Sequence, residues 1–211
     1  RGGRRALRIT RPSTGLWRLA YSAGMIRALA LTSSFAAALL AGAGPAHAAS
    51  FCAGLDSYKV SPIVGGAPID LCRLDARAVL LVNTASACGY TPQYEGLEKL
   101  NQRYARAGLR VVALPANDFG SQERGNNQQI AEFCQVNYGV TFTVGEKLTV
   151  PIRRDPLYAQ LVRVSGQAPQ WNFHKYLIGA NGRVQSFDSD VTPQSRELTQ
   201  AIEGALKPAA R

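Results

Sequence analysis

Apolar residues fall along this chain in two kinds of pattern, and their order predicts an architecture. Residues 78–84 (AVLLVNT) and 109–114 (LRVVAL) are apolar runs rich in β-branched side chains, as expected of strands covered on both faces. Between them, from Pro92 with Thr91 as the predicted cap, Tyr94, Leu97, Leu100, Asn101 and Tyr104 recur at helical spacing until Gly108 ends the segment. Residues 126–138 predict a second helix with Ile130, Phe133 and Cys134 on its inner face, and residues 195–206 a closing amphipathic helix. Residues 176–178 and 184–187 flank Asn181-Gly182, a strong hairpin signal, and a smaller hairpin is predicted from residues 58–60 and 68–71 around Gly65-Gly66.

The predicted order is a hairpin, then strand, helix, strand, helix, strand, strand, helix. Parallel strands joined by helices, followed by an antiparallel hairpin and a helix, predict an α/β fold: a thioredoxin-like sandwich, its central mixed sheet flanked by helices and preceded by an N-terminal hairpin. No internal repeat or low-complexity linker follows residue 50, so residues 50–206 are expected to form a single domain.

The formal charge of +10 on 211 residues invites a nucleic-acid or membrane reading, and its distribution removes that reading. Seven of the 24 basic side chains are arginines within residues 1–48, which hold no acid; the remainder carries 17 basic against 14 acidic groups, an ordinary balance. Met25 opens MIRALALTSSFAAALLAGAGPAHAAS, a basic start, an apolar stretch and then Ala46-His47-Ala48. Residues 25–48 therefore read as a secretory signal cleaved after Ala48, with residues 1–24 an upstream translated segment, and the expected location is periplasmic. A mitochondrial-type presequence is the rival. Thr32, Ser33 and Ser34 interrupt the apolar stretch, which is too short to predict stable membrane insertion after cleavage. Export would put Cys52, Cys72, Cys88 and Cys134 where disulfides persist, and Cys52 with Cys72, near the two ends of the first hairpin region, are the candidate structural pair.

Cys88 follows the first buried strand and precedes a helix, within VNTASACGYTP. The carboxyl end of a central strand is where open α/β sheets carry their functional groups, and free amides with the helix dipole favour an anion there. The thiolate is the nucleophilic form of cysteine. The chain has no Cys-x-x-Cys, and its two histidines, His47 and His174, are too few for a metal cluster, so neither dithiol exchange nor a metal or other cofactor is expected.

Four ordered blocks carry a more specific signal: Asn83 through Thr91 (NTASACGYT), Pro115 through Glu123 (PANDFGSQE), Tyr138 through Phe142 (YGVTF) and Trp171 through Gly179 (WNFHKYLIG). In these blocks the chain resembles the glutathione peroxidases over essentially the whole of residues 50–206. The resemblance implies a thiol peroxidase for hydrogen peroxide or organic hydroperoxides, active in the response to oxidative stress. It puts the peroxidatic cysteine at Cys88 and its partners at Gln122, Trp171 and Asn172. Those side chains are neutral donors, able to stabilise a sulfur anion and a developing oxyanion without trapping either. Cys134 is the candidate resolving thiol, with a thioredoxin-like protein or glutathione as the reductant. Ala116 and Asp118 stand where many members have cysteine and glutamine, and the short stretch between Val150 and Trp171 lacks the insertion of tetrameric members, implying a monomer. Two other functions fit the same residues: a redox sensor that passes oxidation to a partner protein, and a catalytically silent binding module.

Overall fold

The computed structural model describes residues 55–207. The upstream segment, the signal and Cys52 lie outside the described residues. The hairpin β1 (Lys59–Val60) and β2 (Ile69–Asp70) pairs antiparallel, Lys59 opposite Asp70, as the flanking pattern predicts. The central sheet contains β3 (Ala78–Thr84), β4 (Leu109–Pro115), β5 (Thr143–Val144), β6 (Lys175–Gly179) and β7 (Val184–Phe187) in the order β5-β4-β3-β6-β7. β3, β4 and β5 run parallel, and β6 and β7 return antiparallel, which gives the expected mixed sheet.

The helices are α1 (Gln93–Tyr104), α2 (Asn127–Tyr138), α3 (Pro156–Ser165) and α4 (Arg196–Leu206). Alternation along β3 sorts the core into two layers. Ala78, Leu80 and Val82 pack with Tyr94, Leu97 and Leu100 of α1, Ile130 and Cys134 of α2, and Leu198, Ile202 and Leu206 of α4. Val79 and Leu81 face the other way, onto Val60 and Leu71 of the hairpin region and Leu157, Tyr158 and Leu161 of α3. A strand buried on both faces is apolar on both, which is why residues 78–82 of β3 show no polar alternation.

Three local features differ from expectation. Residues 143–144 and 156–165, assigned no element from the sequence, form β5 and α3, the latter begun by Asp155, whose carboxylate accepts from the Leu157 and Tyr158 amides, with Pro156 at its first position. Phe133 is only partly buried, whereas Ile130 and Cys134 carry the inner face of α2. Thr91 does not cap α1, which starts behind Pro92 without a side-chain cap; its hydroxyl is engaged elsewhere.

Candidate active site

β3 delivers the chain to a tight turn rather than straight into a helix. After Thr84 the backbone bends through residues 85–92 before α1 begins at Gln93, and the turn is closed by the Thr91 amide donating to the Cys88 carbonyl at 3.0 Å. The Thr91 hydroxyl explains why that residue is not a helix cap. It accepts from the Cys88 amide at 2.9 Å and donates to the Ala85 carbonyl at 2.9 Å, bracing the turn across its base. Cys88 is a free thiol with 8% of its surface exposed, and the Tyr90 amide points at its sulfur from 3.4 Å. That amide is a hydrogen-bond donor supplied to the sulfur by the turn itself.

A second loop is fastened to this turn. The Ala87 amide donates to the Gln122 carbonyl at 3.0 Å, so the residue before Cys88 is hydrogen-bonded to Gln122. Gly120 (φ 66°) and Ser121 (φ 52°) are both left-handed, a conformation that glycine tolerates and serine adopts only at a cost. Those two residues let the chain double back after Phe119. A Cβ at Gly120 would lie 3.4 Å from both the Gln122 side chain and the Trp171 ring, a measure of how closely the loops meet.

The third contributor is the bend before β6. Asn172 is fully buried, and its Nδ2 donates to Gln122 Oε1 at 3.0 Å and to the Phe119 carbonyl at 3.2 Å. With Oε1 occupied, the Nε2 group of Gln122 is the end left to donate to a sulfur anion or a peroxide oxygen. Trp171 is 39% exposed and rests on Phe119, ring centroids 5.9 Å apart. Asn83 on β3 anchors the bend: its Nδ2 donates to the Trp171 carbonyl at 3.0 Å, its carbonyl accepts from the Phe173 amide at 2.6 Å, and its amide donates to the His174 carbonyl at 3.3 Å. Phe173, left-handed at φ 66°, turns its ring into the core against Tyr94 at 5.4 Å while Asn172 faces the loops. Gln122 from one loop and Trp171 with Asn172 from another are thus gathered beside the Cys88 turn.

Cys134 is a different kind of thiol. It is free and 2% exposed, in the same core layer as Cys88 but inside α2. Burial pushes its thiol up to about 11, with Glu123 adding to the rise and the Tyr94 hydroxyl opposing it. The cleft beside the Cys88 turn, about 810 Å³, is lined by Ser86, Ala87, Gln122, Glu123, Ile130 and Phe133, whereas Cys134 borders another cleft, near Ile63, Val140 and Phe142. Cys72 is not among the free thiols.

Sequence reasoning missed two groups near the site. Glu123, 1% exposed, accepts from the Ser86 hydroxyl at 3.1 Å. Lys175, fully buried on β6, reaches the Asp188 and Ser189 carbonyls at 3.4 Å each, and burial lowers its ammonium to about 7. With the Gln93 amide, which donates to the same Ser189 carbonyl at 2.6 Å, it fixes the turn that borders Trp171. A charge at a buried strand position could have flagged Lys175; Glu123, in a polar loop, carried no such mark. Asp118 and Ala116 have structural roles here: the Asp118 carboxylate accepts from the Ile152 amide at 3.0 Å, and Ala116 is fully buried under Leu114 and Leu157.

The family model described as glutathione peroxidase matches residues 56–162. A glutathione peroxidase-like peroxiredoxin of Saccharomyces cerevisiae is 41% identical over 157 residues, covering 71% of this chain and 96% of its own length. A hydroperoxy fatty acid reductase of Synechocystis sp. is 45% identical over 132 residues, covering 62% of this chain and 85% of its own. The crystal structure of Trgpx in its apo form superposes with a TM-score of 0.56 at 29% identity, covering 77% of this chain and 99% of that one. The chain belongs to the glutathione peroxidase family.

Proposed function

We infer that this chain is a thiol peroxidase in which Cys88 reduces hydroperoxides and Cys134 resolves the oxidised product. The observation that carries the reading is the Cys88 turn, with the Tyr90 amide on its sulfur and Gln122, held by Asn172, accepting through its carbonyl from the amide of Ala87, the residue before Cys88. The thiolate attacks one oxygen of the peroxide, the O–O bond breaks, and the leaving hydroxide or alkoxide takes up a proton as water or alcohol. Cys88 is left as a sulfenic acid. The Gln122 Nε2 group and the Trp171 indole are neutral donors suited to the anion before attack and the oxyanion during it, with Asn172 holding Gln122 in place.

In the second step the Cys134 sulfur attacks the Cys88 sulfenic sulfur, giving a disulfide and water, and an external dithiol protein or glutathione returns both thiols. Because Cys134 lies inside α2, that step requires local unwinding of the helix. The likeness to a hydroperoxy fatty acid reductase supports fatty-acid hydroperoxides as a substrate class beside hydrogen peroxide. We further assign the chain to the periplasm on the strength of its N-terminal sequence, as a monomer with a Cys52–Cys72 bridge, a pairing supported by Cys72 not being a free thiol.

The test is peroxide consumption by the mature protein with a dithiol protein or glutathione as donor. Cys88→Ser is expected to lower turnover by at least about a thousandfold, and mass spectrometry of the oxidised wild type is expected to find a Cys88–Cys134 linkage. Undiminished turnover in Cys88→Ser overturns the reading, and rapid stoichiometric oxidation with negligible turnover would favour a redox relay.

A further inference from the structure

Glu123 has the features of a working group that the peroxide step does not use. Its side chain is 1% exposed, yet only one of its two oxygens is satisfied: Oε2 accepts from Ser86 at 3.1 Å, while Oε1 is buried without a hydrogen-bond partner. An orphaned carboxylate oxygen in a protein interior is costly unless it has a use. Its backbone is fixed, the Glu123 amide donating to Asn117 Oδ1 at 2.8 Å, so the carboxyl group is held where it is.

That place lies between the Cys88 turn and α2. Glu123 lines the cleft whose walls are Ser86 and Ala87 of the Cys88 turn on one side and Gln129, Ile130 and Phe133 of α2 on the other. Cys134 is carried by that same helix, near enough for the Glu123 carboxyl to add to the rise of its thiol. The charged and titratable groups around the carboxyl group are Tyr94 from α1, Cys134 from α2 and Lys147 from the segment after β5. Lys147 is itself tied to the Gly125 carbonyl at 2.6 Å. Burial raises the Glu123 carboxyl above the usual carboxylate range, the Ser86 hydroxyl and Lys147 pulling the other way, which brings it closer to the pH at which it can both take and give a proton.

The resolving step needs such a group. Cys134 is buried as a thiol and has to lose its proton as its sulfur attacks, and the hydroxyl leaving the Cys88 sulfenic acid has to gain one. We propose that Glu123 is the proton-transfer residue of the resolving step, its free Oε1 taking the Cys134 thiol proton and passing it to the departing hydroxyl. The S–O bond breaks as the S–S bond forms, water leaves, and the carboxylate is restored, so nothing beyond the two cysteines and the proton is consumed. The assignment rests on Cys134 being the resolving thiol.

The experiment is rapid mixing of the reduced full chain with hydrogen peroxide, quenched at intervals, with the Cys88 sulfenic acid and the Cys88–Cys134 disulfide followed separately by mass spectrometry. Glu123→Gln keeps an acceptor for Ser86 and removes the titratable oxygen. It is expected to slow disulfide formation at least about tenfold while sulfenic acid forms within about twofold of the wild-type rate. The acidic limb of the pH profile for disulfide formation in the wild type is expected to be missing in the variant, and Glu123→Asp to recover part of the rate. Unchanged disulfide formation, an unchanged pH profile, or an equal loss in both steps would each overturn the proposal. If the wild type itself forms no Cys88–Cys134 disulfide, the reading beneath it fails as well, and that outcome is distinct from the others.

Discussion

Cys88 and Cys134 share a residue type, a redox state and a core layer, and both are almost out of solvent. They differ in backbone setting. Cys88 sits in a turn whose amides are free of helix or sheet, so one of them can point at its sulfur. Cys134 sits mid-helix, where the amides are committed to the helix's own carbonyls, and it has a tyrosine hydroxyl and a carboxyl group for neighbours. Two buried cysteines therefore differ in whether spare donors accompany the sulfur into the interior.

The sharpest way to break that contrast is alkylation. At pH 7 iodoacetamide is expected to modify Cys88 at least about a hundredfold faster than Cys134 in the reduced native protein, because a thiol pushed to about 11 is almost wholly protonated there. Peptide mass spectrometry over a time course measures both rates, and comparable rates would remove the distinction.

Next in size is Thr91→Val. It deletes the hydroxyl that braces the Cys88 turn and leaves the buried Cys88 amide without an acceptor. The expected loss is about 1–3 kcal/mol in a denaturant titration, with roughly tenfold slower reaction with peroxide, while Cys134 alkylation is unchanged. A stability loss with full reactivity would show that the turn's geometry does not activate the thiol.

The smallest effect concerns Cys134 alone. Its folded-state value of about 11 lies above that of a thiol in the unfolded chain, so its contribution to stability is fully present below about pH 9 and is lost as pH rises towards 11. The contribution is on the order of 2 kcal/mol. Unfolding free energies measured from pH 8 to 11 should fall less steeply in Cys134→Ala than in wild type; parallel curves would mean that burial does not hold the thiol protonated.

Much of this molecule can be read from its chain. β3 and β4 announce themselves because strands buried on both faces carry long apolar runs without alternation, and the turn between β6 and β7 carries Asn181-Gly182, with Gly182 at φ 73°. β5 could not be found by periodicity, since two residues contain no period. α3 was findable: Asp155-Pro156 starts it, Leu157 and Leu161 are one turn apart, and Gly166 ends it, but ten residues among prolines and arginines look like a loop. The four blocks locate Cys88, Gln122, Trp171 and Asn172 through resemblance. The contact that matters, Asn172 orienting Gln122, depends on left-handed backbone at Ser121 and Phe173, which no hydrophobic pattern encodes. Thr91 misled for a related reason: a threonine before a helix is ordinarily its cap, and here the turn takes its hydroxyl instead.

The stitching of the Trp171 bend to Asn83 bears on biosynthesis. A ribosome makes Cys88 some eighty residues before it makes Trp171 and Asn172, and β6, which pairs with β3 from Ala78 to Val82, follows them immediately. Until β6 docks, β3 is an edge, the Asn83 side chain has no carbonyl to hold, and Gln122 lacks the amide that orients it. The last strands to be synthesised therefore complete both the sheet and the cluster beside the Cys88 turn, so a nascent or partly folded chain carries Cys88 before Trp171 and Asn172 are gathered next to it.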